Sequence, residues 1–109
     1  MATVQNIVID QGTTFSLDIN LTNDDASAKD LSSYTVASQM RKSYEASTST
    51  SFTCVKVDNT GKVTISLTAA QTATLKPGRY VYDVEITSAS ETLRVLEGLV
   101  TVTPEVTKV

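Results

Sequence analysis

Cys54 is the one thiol of the chain, and a thiolate is among the strongest nucleophiles a side chain offers. It needs a partner that takes its proton, and the 109 residues contain no histidine. That removes the commonest general base and the commonest transition-metal ligand together. Cys54 therefore reads as a small buried hydrophobe or an inert strand thiol. A lone cysteine also excludes an internal disulfide and any cysteine-based zinc cluster. Asp83 and Glu85 stand two apart, which on a strand places both carboxylates on one face. Nothing apolar surrounds them to raise either pKa, so the pair reads as solvated rather than as an acid–base couple. Asn23, Asp24, Asp25 and Asp30 form an acidic loop that invites calcium. The loop lacks the sharp-turn glycine and the one-three-five oxygen spacing that calcium loops use, which favours a plain turn-rich, solvated segment.

Tyr80 and Tyr82 follow Lys76-Pro77-Gly78 and alternate with polar residues. Their spacing predicts a tyrosine corner, in which a phenol at the start of a strand bonds back to a carbonyl of the preceding turn. Pro77, Gly78 and Tyr80 form that structural corner. Arg41, Lys42 and Tyr44 offer residue types that dominate binding hot spots, so they form a candidate recognition patch, or else a solvated strand end. Asp24 and Asp25 join them as candidate partner contacts. No residue qualifies as catalytic, cofactor-binding or metal-ligating, and no cofactor is implied.

The elements that hold these residues are strands. Residues 13–21 alternate, with Phe15, Leu17, Ile19 and Leu21 on one face and Thr14, Ser16, Asp18 and Asn20 on the other, a clean period of two. Residues 5–10 form a first strand with Ile7 and Ile9 inward. Leu31 and Tyr34 fold back as plugs after the acidic loop. Residues 35–44 form a weaker strand with Val36, Ser38 and Met40 opposite Ala37, Gln39 and Arg41. Residues 45–51 form an exposed, mobile Ser/Thr loop. Phe52 and Cys54 then point inward and Val55 and Val57 outward, because an aromatic ring gains most from burial. Asp58-Asn59-Thr60-Gly61 makes a hairpin, with Val63, Ile65 and Leu67 inward beyond it. Thr68 and Gln71 have capping-box spacing, so a single helical turn lies near residues 68–75, halted at Lys76-Pro77. Tyr80, Tyr82, Val84 and Ile86 then face inward, and Ser88-Ala89-Ser90-Glu91 turns the chain again. In the last strand, residues 92–102, Leu93 and Val95 fit one register and Leu96, Val100 and Val102 the other. Gly98 is the expected bulge. Pro104 ends the pairing, and residues 105–109 form a tail.

Seven strands with turns between them and one helical turn predict an all-β, immunoglobulin-like antiparallel β-sandwich, one domain over residues 1–109. The net charge of −3 argues against nucleic-acid partners, which need clustered Lys and Arg. No apolar run approaches the ~18–20 residues that cross a bilayer, and the N-terminus has no signal-peptide pattern. The expected site of synthesis is therefore the cytoplasm, with no membrane partner.

Several stretches together resemble a known group. They are Asp10-Gln11-Gly12-Thr13-Thr14-Phe15, Asp30-Leu31-Ser32-Ser33-Tyr34-Thr35-Val36 and Gln39-Met40-Arg41-Lys42-Ser43-Tyr44. Farther along come Leu67-Thr68-Ala69-Ala70-Gln71-Thr72, Pro77-Gly78-Arg79-Tyr80-Val81-Tyr82-Asp83-Val84-Glu85-Ile86 and Leu96-Glu97-Gly98-Leu99-Val100-Thr101-Val102. The series resembles small virion structural proteins of tailed bacteriophages, especially marine T4-like ones. It is also similar to the N-terminal immunoglobulin-like domain of phage baseplate upper proteins. The resemblance implies a non-enzymatic virion component, as capsid decoration, neck, or tail and baseplate accessory. It would pack against other virion proteins or further copies of itself, with residues 4–9 and 103–109 available for strand exchange. The alternative is a carbohydrate- or cell-surface-binding module on the virion.

Overall fold

The computed structural model describes residues 3–22 and 27–106. Asp24 and Asp25, with the rest of the acidic loop's centre, lie outside the described residues. The strands are β1 (Thr3–Val4), β2 (Ile7–Asp10), β3 (Phe15–Asn20), β4 (Thr35–Arg41), β5 (Thr50–Ser51), β6 (Thr53–Val57), β7 (Lys62–Leu67), β8 (Gly78–Thr87) and β9 (Thr92–Thr103). A five-residue helix, α1 (Ala69–Ala73), separates β7 from β8. One sheet runs β1-β9-β8-β4-β5, with β2 also on β9; the other runs β3-β7-β6. These are the C-F-G and B-E-D groupings of an immunoglobulin-type sandwich. The protein is all-β.

The period-two pattern explains the core. Ile7, Ile9, Met40, Tyr80, Tyr82, Val84, Ile86, Leu96, Val100 and Val102 point inward from the larger sheet, and Ile19, Val63, Ile65 and Leu67 from the smaller. Each fully buried aliphatic residue contributes about 1.5–3 kcal/mol relative to exposure. Phe52 sits between β5 and β6, where the chain leaves one sheet for the other. It is buried, tilted against Phe15 at 5.9 Å and edge-on to Tyr82 at 6.3 Å. Val55 and Val57 face out, because Phe52, Cys54 and Lys56 take the inward parity.

Three features differ from the sequence reading. First, the sandwich is not wholly antiparallel. The first strand breaks at Gln5 and Asn6 and pairs with β9 in parallel, Thr3 beside Leu96 and Ile7 beside Val100. Alternation reveals a strand's faces but not its neighbour. Second, the bulge is not at Gly98. Val84 pairs with Leu96 while Glu85 pairs with Arg94, so Val95 is the extra residue. Gly98 serves a different need: a Cβ there would stand 2.2 Å from the Gln5 carbonyl oxygen. The missing side chain lets the first strand dock. Third, residues 45–51 are largely exposed, as expected, but are held at two points. Arg41 Nη1 donates to the Ala46 carbonyl at 2.7 Å, and β5 pairs with Gln39 and Met40.

Tyr82 belongs to the same docking arrangement. Its hydroxyl donates to the Gln5 carbonyl at 2.6 Å, and burial pushes the phenol's pKa up to about 12. The folded chain thus keeps a proton that the unfolded chain releases near pH ~10. Stability from the neutral phenol is complete below that pH and is lost as pH rises through about 12. Denaturant titrations across this window should show stability falling for the native sequence, with a shallower fall for Tyr82→Phe.

Candidate functional site

The outer face of the larger sheet carries the sequence's candidate patch. Gln39 lies opposite Asp83 and Arg41 opposite Val81 across β4 and β8. On the other side of β8, Asp83 lies opposite Glu97 and Glu85 opposite Arg94. These side chains, with Tyr44 at the rim, line a shallow groove of about 380 Å³. The register thus brings Arg41 and Tyr44 together with Asp83 and Glu85, two groups that the sequence suggested separately. Lys42 is elsewhere. The strand alternation turns it off that face, and its amine lies 4.6 Å above the Tyr80 ring, a cation–π contact.

Two of the groove's cations are held by neighbours on the same face. The second Arg41 nitrogen, Nη2, donates to Gln39 Oε1 at 3.0 Å, and Arg94 Nε lies 3.2 Å from Asp83 Oδ2. Both Asp83 and Glu85 are half-buried rather than fully solvated, a consequence of long neighbours on adjacent strands. Exposed ion pairs of this kind contribute roughly 0–1 kcal/mol. They orient the face more than they stabilise it. Tyr44 is 77% exposed.

Cys54 is half-buried and its thiol donates weakly to the Phe52 carbonyl at 3.6 Å. Burial pushes its pKa up, partly offset by the Ser38 backbone. A thiol held protonated is a poor nucleophile. The side chain faces Ile65 across the β6–β7 ladder and acts as part of the core margin.

The Pro77 turn builds the corner at the sandwich's end. Thr68 caps α1: its hydroxyl accepts the Gln71 amide at 3.2 Å, and Gln71 Oε1 accepts the Thr68 amide at 2.8 Å. Gly78 takes φ of +140°, a region that residues with a Cβ rarely enter. Tyr80 Oη then reaches back to the Lys76 carbonyl at 2.7 Å. Tyr80→Phe is expected to lower stability by about 1–2 kcal/mol, the scale of a buried carbonyl left without its donor. Chemical denaturation measures this; an unchanged midpoint would contradict it.

Sequence reasoning missed the roles of Thr72 and Ser38, which among the described residues are the two buried non-aromatic polar side chains. Thr72 Oγ1 donates to the Thr13 carbonyl at 2.7 Å and pins α1 onto the entry to β3. Ser38 Oγ donates to the Asp83 carbonyl at 2.6 Å, fastening β4 to β8. The only available signal was position: Thr72 falls four after the cap and Ser38 on the inward parity. Among the described residues, no buried side-chain nitrogen or oxygen lacks a partner.

No protein-family model and no curated protein matches the sequence. Solved structures do. Listeria monocytogenes InlP superposes on 94% of this chain with a TM-score of 0.52 and 14% identity. A family 123 glycoside hydrolase from Clostridium perfringens covers 94% at a TM-score of 0.43 and 13% identity. The chain spans 28% of the first protein's length and 23% of the second's. At such identity the likeness to InlP is one of fold alone, and the second superposition is too loose to carry an argument.

Proposed function

We propose that this domain is a non-enzymatic structural component of a tailed-phage particle, a capsid decoration, neck, or tail and baseplate accessory. It works by packing against neighbouring subunits. The observation behind the packing role is the apolar surface at the sheet margins. Val4 and Val8 are 69% and 65% exposed, and on their outer face the adjoining strand β9 adds Leu99. Solvent-facing aliphatic side chains on one face of a sheet margin favour contact with another protein over free exposure. The particle itself is suggested by the run of short motifs from residue 10 to residue 102 described above. Mass spectrometry of purified particles, with immunogold labelling, tests this reading. The chain is expected in intact particles at a fixed copy number, and its absence from them would overturn the assignment. Tyr44, projecting beside the groove, supports a second reading as a carbohydrate- or cell-surface-binding module, for which a specific hit on a glycan array is the test.

A further inference from the structure

We propose that β3 is a docking edge whose occupant is β3 of a second copy of this chain, the two pairing antiparallel about a twofold axis at Leu17. The inference deepens the packing role, but it concerns the purified chain and can fail without any bearing on the particle.

The sandwich leaves several edges open, and they are not equivalent. β1 and β5 have two residues each, too few to template a partner. β2 is confined to four, between the break at Gln5 and the turn after Asp10. β6 has Lys56 on its inward parity. The Lys56 amine donates to the Leu31 carbonyl at 3.0 Å and pairs with Asp58. An inward charge on an edge strand is a standard block to further pairing. β3 has six residues, no proline, no lysine and no bulge, and among the described residues it pairs with β7 alone.

The first strand has gone to β9 rather than to β3, and the cost is visible in burial. Phe15 and Leu17 point inward but are only half-buried, whereas Val63, Ile65 and Leu67 on the adjacent strand are buried. A strand added beside β3 would cover that margin.

Backbone parity fixes what the edge offers. The Leu21 amide donates to the Gly61 carbonyl at 2.8 Å, and the same register runs back to Phe15 beside Leu67. Odd-numbered residues therefore direct their amides and carbonyls at β7. Ser16, Asp18 and Asn20 direct theirs away from it. A twofold axis perpendicular to the sheet pairs residues of equal parity, so it must pass through one residue position. Centred on Asp18, it would set two carboxylates face to face, which is unfavourable. Centred on Leu17, it sets Leu17 against Leu17, Phe15 against Ile19 and Asp18 against Ser16. Apolar residues then meet on the inner face, no like charges meet on the outer one, and Ser16 and Asp18 exchange both backbone bonds. The strand is self-complementary in this register, as an isologous interface requires.

Sedimentation velocity from low micromolar to near-millimolar chain tests the proposal. The native sequence is expected to show a concentration-dependent monomer–dimer equilibrium. Ser16→Asp places two like-charge pairs across the axis and should raise the dissociation constant by about tenfold. Adding Asp18→Lys turns both pairs attractive and should return the constant to within about threefold of native. Both positions are exposed, and a circular-dichroism melt confirms that each variant is folded. A native chain that stays monomeric throughout overturns the proposal. So does a dimer that ignores both changes, the result expected if another edge or a foreign strand is the occupant.

Discussion

Replacing Gly98 with alanine should detach the N-terminal strand and cost on the order of 2–6 kcal/mol. A Cβ at this position would lie 2.2 Å from the Gln5 carbonyl oxygen and 2.8 Å from its carbon. Both are backbone atoms, so no side-chain rotation relieves the contact. Three bonds depend on the close approach. They are the Gln5 amide to the Glu97 carbonyl at 2.8 Å, Tyr82 Oη to the Gln5 carbonyl at 2.6 Å, and the Leu99 amide to Asn6 Oδ1 at 3.1 Å. Forcing atoms into a filled site costs about 1–3 kcal/mol, and a buried phenol deprived of its acceptor adds about 1–3. Hydrogen exchange should show Ile7 and Ile9 losing protection while Val63 and Ile65 keep theirs. A variant as stable as the native chain would mean that the first strand does not run beside Gly98.

Leu31→Ala should be nearly as damaging, with a loss of about 2–5 kcal/mol. Leu31 lies outside every strand, yet none of it is exposed. The reason is its backbone. Its amide donates to the Asp58 carbonyl at 2.8 Å, its carbonyl accepts from the Tyr34 amide at 3.0 Å, and the Lys56 amine reaches the same carbonyl at 3.0 Å. A segment held from three sides cannot collapse into the space that the side chain leaves, so most of the cavity remains. For a domain of this size each kcal/mol lowers Tm by about 4–8 °C. Leu31→Met keeps the volume and should cost less than about 1.5 kcal/mol. Thermal melts of the two variants should therefore separate widely. Equal, small shifts would show that Leu31 is not a plug.

What the sequence revealed follows from what alternation encodes. A residue's face is a local property, so Phe52 inward, Val55 outward and the plug at Leu31 could be read from neighbours a few positions away. Which strand lies alongside is not local. Ile7 and Ile9 look the same whether they flank β9 in parallel or another strand antiparallel, so the parallel edge was invisible. The register shift in β9 was detectable, because Leu93 and Val95 fit one parity whereas Leu96, Val100 and Val102 fit the other. Assigning it to Gly98 followed the habit of glycine in strands, when the glycine was required by Gln5, 93 positions earlier in the chain. The groove shows the same limit. Arg41 with Tyr44, and Asp83 with Glu85, stood out as two separate groups, and only the β4–β8–β9 register placed both on one face. For Thr72 only its place after the cap hinted at burial, since a hydroxyl bonded to a carbonyl 59 residues away leaves no pattern.

Residue-resolved amide exchange along β3 in dilute solution tests the central claim, a sandwich whose second sheet ends at this strand. The amides of Phe15, Leu17 and Ile19 should be protected by β7, and those of Ser16, Asp18 and Asn20 should exchange nearly as fast as in an open chain. Protection of all six would place another strand of the same chain beside β3, and protection of none would remove β3 from the sheet.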